Sequence, residues 1–203
     1  MLDHVFLEAI GVLRRALEDA LLERHALEER FQVDVLLGDV SWETSYTLPG
    51  EGLPPRVQAE ITFDWPTWSQ TAYRSWTIGE PSDDPPEIDV DITLRVQRLA
   101  SAPEPATVLA VLPEDGPSVG GEALERSNPT VERHYDSGLG DRQFAVEVSY
   151  SGELRLEESM LEDASRLGQH LGAFGSWVAS TLVRLADLDL AFLPPELEEG
   201  GLR

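Results

Sequence analysis

The densest collection of chemistry-bearing side chains in this chain is the run His134-Tyr135-Asp136-Ser137-Gly138-Leu139-Gly140-Asp141. A histidine, a serine and two aspartates so close together are the parts of a nucleophilic triad, in which an imidazole takes the serine proton and a carboxylate orients the ring. Working triads gather those parts from separated elements, and this run is not a G-x-S-x-G elbow. Its glycines suit a tight turn between strands, and with no strand-to-helix transition after them they do not suit a phosphate cradle. The run therefore reads as a turn. A hydrolase-like site around His134 is kept as an alternative, and no catalytic residue is assigned.

The other histidines are more isolated. His4 and His25 fall in the first segment and His170 in the last, none of them in an H-E-x-x-H or comparable metal-binding spacing. Carboxylates offer a second candidate. Asp89 and Asp91 share the polar side of one alternating segment, and Glu60 and Asp64 that of another. If those segments are neighbouring strands, the four would crowd, which raises carboxylate pKa values or holds a hard cation. Arg95 lies on the same side as Asp89 and Asp91, and the pattern reads as a solvated face with Arg95 relieving the repulsion. No metal and no cofactor is expected.

Aromatic residues supply the third candidate. Trp65, Trp68 and Trp76 lie close together, joined by Tyr73 and flanked by Phe63. Core filling accounts for Trp65, which continues the apolar side of its segment. Trp68, Tyr73 and Trp76 are the candidate partner-binding residues, because tryptophan and tyrosine dominate interface hot spots.

Composition narrows the remaining chemistry. The chain has 203 residues, no cysteine and no lysine, so thiol catalysis, thiolate metal sites, disulfides and lysine-based catalysis are all excluded. Thirty-eight acids oppose 15 arginines, for a net charge of −23. Residues 1–30 carry seven acids and four arginines, whereas residues 31–203 carry 31 and 11, so the excess lies beyond the first segment. Such a field repels nucleic acid and anionic lipid and steers basic proteins inward. The start of the chain has no positively charged region of the kind that opens a signal peptide. Leu167 to Val183 is free of charged residues, but it contains Gln169, His170, Ser176, Ser180 and Thr181, and reads as a buried helix rather than a membrane span. A cytoplasmic protein is expected.

The elements that must position these residues follow from periodicity. Asp3 to about Arg30 reads as an amphipathic helix, with Leu2, Phe6, Ile10, Leu13, Leu17, Leu21 and Leu27 at mostly helical spacing and Asp3 as its cap. Alternation predicts strands over Phe31–Leu37, Val40–Leu48, Val57–Trp65, Ile88–Gln97, Thr130–Tyr135 and Phe144–Tyr150. Trp68–Ile78 reads as a further, returning strand, and 113–121 as a loop. Ser151-Gly152 reads as a turn. A last helix begins near Ser159, with Glu162 completing a capping box, and runs along a seam from Leu161 to Leu188 until Pro194-Pro195 stop it. Gly168, Gly172, Gly175 and Ala179 give it a small-residue stripe that suits close approach of another element.

The expected fold is α+β: an antiparallel meander of about six to eight strands covered by long N-terminal and C-terminal helices. Residues 1–193 form one domain and 194–203 a flexible acidic tail. The expected function is non-enzymatic: an acidic protein-binding module of adaptor, chaperone-like or inhibitor type that engages a basic partner protein, with a homo-oligomer as a second form of assembly. The alternatives are a small-ligand carrier with an apolar cavity between the last helix and the sheet, and the enzyme around His134.

Overall fold

The computed structural model describes residues 27–36, 38–48, 54–80, 84–119, 122–135, 142–155 and 164–194, with four single positions before them. Those four, Gly11, Arg14, Arg15 and Asp19, are helical; the remainder of the expected first helix, with Asp3, His4 and His25, lies outside the described residues. The chain then runs β1 (Leu27–Leu36), β2 (Asp39–Thr47), β3 (Val57–Trp65), α1 (Thr67–Thr77), β4 (Glu87–Leu99), α2 (Pro105–Leu109), β5 (Asp115–Val119), β6 (Glu122–Arg126), β7 (Thr130–Tyr135), β8 (Arg142–Arg155) and α3 (Ala164–Ala186). The fold is α+β with an antiparallel sheet, in the order β1-β2-β3-β4-β8-β6-β5, and β7 also pairs with β8.

Strands β6 and β7 lie end to end along β8. Arg126 is opposite Tyr150 and Thr130 opposite Glu147, so Ser127-Asn128-Pro129 forms a bulge between them. Ser127 closes the ladder there: its N–H donates to Ser149 O at 2.8 Å, and its hydroxyl accepts the Ser149 N–H at 2.9 Å.

Alternation does what it should on the central strands. Val57, Ala59, Ile61, Phe63 and Trp65 of β3 and Ile88, Val90, Ile92, Leu94 and Val96 of β4 are buried on one face. The apolar stripe of α3, Leu171, Phe174, Val178, Leu182 and Leu185, belongs to the same core. Ring contacts fix the helix across the sheet: Phe174 meets Phe63 edge-on at 6.0 Å, and Trp177 meets Tyr150 at 5.0 Å. Trp42 fills the space beside Phe63 at 5.3 Å.

Several sequence expectations are corrected. Trp68–Ile78 is not a strand but the helix α1, with Ser69, Gln70, Ala72 and Tyr73 buried at helical spacing. The first helix does not reach Arg30, because β1 begins at Leu27; a bulge between Glu28 and Arg30 breaks the alternation that would have revealed it. Residues 113–121 contain β5 rather than only loop. Ser151-Gly152 does not turn the chain, since β8 runs on to Arg155. Gly152 gives Leu124 room there: a Cβ would lie 2.8 Å from Leu124 Cδ2 and the leucine side chain would have to shift.

The last helix stops at Ala186, well before Pro194. Its beginning near Ser159 and Glu162 lies outside the described residues. After it, Phe192 bridges Leu99, Leu193 N–H donates to Arg98 O at 2.7 Å, and Ala100 N–H donates to Ala191 O at 2.8 Å. Arg98 makes this possible. It sits at the bulge between Val96 and Leu99 with φ +62°, and its buried guanidinium donates to Pro54 O at 3.1 Å and Leu193 O at 2.9 Å. Residues 195–203 lie outside the described residues.

Candidate partner-binding surface

The sheet face opposite the α3 side is polar. On β3 it carries Gln58, Glu60, Thr62 and Asp64; on β4, Asp89, Asp91, Thr93 and Arg95; on β8, Glu147, Ser149, Ser151 and Glu153. The strands that hold the paired carboxylates are indeed neighbours. Register sets Asp64 opposite Asp89 and Thr62 opposite Asp91, with Glu153 on the other side of Asp89. Asp89 and Asp91 therefore titrate above the ordinary aspartate range. Partial burial in the strand surface is the larger cause for both, followed at Asp89 by the charges of Glu153, Asp64 and Asp91 and at Asp91 by that of Asp64.

Arg95 does not relieve this repulsion, contrary to the sequence expectation. Its guanidinium donates to Glu147 Oε2 at 3.0 Å and to Glu132 Oε2 at 2.7 Å. Arg155 attends the other end, bonding Glu87 Oε1 at 3.0 Å and approaching Glu153 at 3.9 Å. Among the described residues, no basic side chain forms an ion pair with Asp64, Asp89 or Asp91. Nor do any three acidic or histidine side chains among them converge as a metal-binding group.

His134 lies on β7 beside the Arg95 cluster. Arg95 donates to its Nε2 at 3.0 Å, and the same nitrogen is 3.1 Å from Glu132 Oε2. The neutral ring accepts from Arg95; a protonated ring donates to Glu132 instead. Either way Nε2 is engaged in an exposed ionic ladder, where Arg95 holds the Glu132 carboxyl below its usual range. Asp136, Ser137 and Asp141 lie outside the described residues.

The aromatic candidates are positioned by α1, and α1 by its first turn. Pro66 is extended, and the Thr67 N–H and hydroxyl both donate to Asp39 Oδ1, at 2.6 and 2.7 Å. These bonds lower the Asp39 pKa. Gly38 supplies the φ of +99° that the β1–β2 turn needs, and a Cβ there would lie 2.9 Å from Thr67 Oγ1. Gln70 Nε2 donates to Gly38 O at 2.8 Å and Trp65 O at 2.9 Å. Ser69 joins two strands: its hydroxyl accepts from Trp65 Nε1 at 3.1 Å and Glu87 N at 2.7 Å, and donates to Glu87 O at 2.5 Å. The helix is thereby pinned to the sheet end that carries Asp64 and Asp89.

The structure separates the three aromatic candidates. Tyr73 is buried edge-on against Trp65 at 5.8 Å and belongs to the core. Trp68 is 51% exposed, whereas Trp76, in line with Ser69, Ala72 and Tyr73 around the helix, is half-buried. Just past the helix, Ile78 is 71% exposed.

A serine spacing outside these candidates lies around β5. Gly116-Pro117-Ser118-Val119-Gly120 has G-x-S-x-G spacing. Its serine lies within β5, opposite Ala123 in the hairpin with β6, and not at a strand-to-helix elbow, so the spacing carries no nucleophile geometry. Compared with known proteins, the chain matches no family model, no curated protein and no solved structure. Among the described residues, no helix is long and apolar enough to cross a membrane.

Proposed function

We propose that this chain is a non-enzymatic, acidic protein-binding module, of adaptor, chaperone-like or inhibitor type, that engages a basic partner protein. One observation carries the reading: Asp64, Asp89 and Asp91 crowd on adjacent strands without an ion pair among the described residues, at an energetic cost registered in the raised pKa values of Asp89 and Asp91. A basic partner supplies the missing counter-charge and so gains from a repulsion already present in the free protein. The field of the whole chain acts in the same sense, with a net charge of −23.

The alternatives have less behind them. A carrier needs space between α3 and the sheet, where Phe174 packs on Phe63 and Trp177 on Tyr150. An enzyme around His134 needs a nucleophile hydrogen-bonded to the ring, whereas among the described residues the partners of His134 are Arg95 and Glu132 alone, both at Nε2.

The test is capture from a native lysate on the immobilised full chain, beside a D64N/D89N/D91N variant. A basic protein held at low salt by the wild type and lost by the variant is the expected result. Equal retention by both would contradict the reading.

A further inference from the structure

We propose that the outer flank of α1 is the anchor point for that partner, and that it takes an arginine-rich segment carrying one large apolar side chain. This inference rests on the acidic-module reading above and adds the place and chemistry of the contact. Trp42 and Trp65 are fully buried, whereas Trp68 leaves half of its surface to water, with Ile78 still more exposed beyond the helix end. That flank is presented rigidly. Asp39, Gly38, Trp65 and Glu87 hold the first turn of α1 through side chains on both sides of Trp68, so little ordering is left for a partner to impose.

Charge decides the occupant. Residues 57–99, which contain α1 and the two strands it joins, carry eight acidic residues and three bases; of these, Arg95 is held by Glu132 and Glu147, and Arg98 by the Pro54 and Leu193 carbonyls. A second copy of this chain would bring −23 against −23, and a nucleic acid would be repelled likewise. An arginine-bearing segment meets both demands of the surface. Its guanidinium stacks on an indole face and pairs with carboxylates in a planar fork, while a neighbouring apolar side chain covers Trp68.

Fluorine NMR of the full chain labelled with 5-fluorotryptophan tests this, each resonance being assigned from single Trp→Phe variants. Two probes of equal charge are titrated: a peptide of arginine and leucine, and an oligo-arginine. The expected result is a shift of the Trp68 resonance, larger with the arginine–leucine peptide, with Trp42 and Trp65 unmoved. W68A then weakens the arginine–leucine peptide by about tenfold or more and oligo-arginine much less. If both peptides bind but Trp68 stays unmoved and W68A binds as tightly as wild type, the anchor is overturned while the acidic module stands. If neither peptide binds, both readings fall.

Discussion

Asp89 and Asp91 hold their negative charge under protest, and that gives them a measurable signature. Their pKa values are raised in the folded protein, so the folded state binds protons more readily than the unfolded chain between the ordinary aspartate value and the raised one. Their contribution is an energetic penalty, complete above the raised pKa and gone below the ordinary one. D89N and D91N should therefore stabilise the protein at neutral pH, by about 1 kcal/mol or less at such solvent-exposed sites. Thermal melts from neutral pH downward should show that advantage shrinking through this window. Glu132 works in the opposite sense: Arg95 lowers its pKa, so its stabilisation is present above the ordinary glutamate value and is lost as pH falls through the lowered one. His134→Ala should leave binding intact and cost less than about 1 kcal/mol, since the imidazole is half exposed in a surface ion ladder. The acidic spacing was legible in the sequence, because Asp89 and Asp91, like Glu60 and Asp64, repeat with the period of a strand face. The destination of Arg95 was not. It follows from register, which puts Glu147 directly opposite Arg95 and brings Glu132 within reach from β7, across distances in sequence that no local pattern encodes.

The elements divide by how local their causes are. The alternation of β3 and β4 and the seam of α3 were readable because each buried face repeats without interruption. Placed straight after β3 and Pro66, Trp68–Ile78 reads as a returning strand, yet Ser69, Ala72, Tyr73 and Trp76 recur at helical steps and form α1. The helix also depends on Asp39, far away in sequence, for its N-terminal hydrogen bonds. β1 and β8 were shortened in the reading by a bulge and by a glycine, features that resemble ends locally and are continuous only when a partner strand is present. Three substitutions test this layer in denaturant melts. Phe174→Ala should cost ~3–5 kcal/mol, as Phe174 is fully buried against the sheet. Ser69→Ala should cost ~1–3 kcal/mol, because it strands buried partners at Trp65 and Glu87. Gly172→Ala should instead stabilise by about 0.5–1 kcal/mol, because a Cβ at this mid-helix glycine meets nothing within 4 Å. That last result bears on the small-residue stripe: at Gly172 it is not a close-approach seam.

Taken whole, the molecule places three crowded aspartates, without an ion pair among the described residues, and a half-exposed tryptophan at the same end of one sheet. Long-range charge and short-range contact act on different steps of binding, the first on encounter and the second on escape. The composition made the charge legible from the start, but not its address, which needed the pairing of β3, β4 and β8. The most direct measurement is the association rate of the full chain with its captured partner as ionic strength rises, read by stopped-flow or surface-based kinetics. Screening acts over about 10 Å at 0.1 M salt, so the predicted result is an association rate that falls by about tenfold or more between low and high salt while the dissociation rate changes little. An association rate indifferent to salt, or a captured partner that is only a second copy of this chain, would contradict the account.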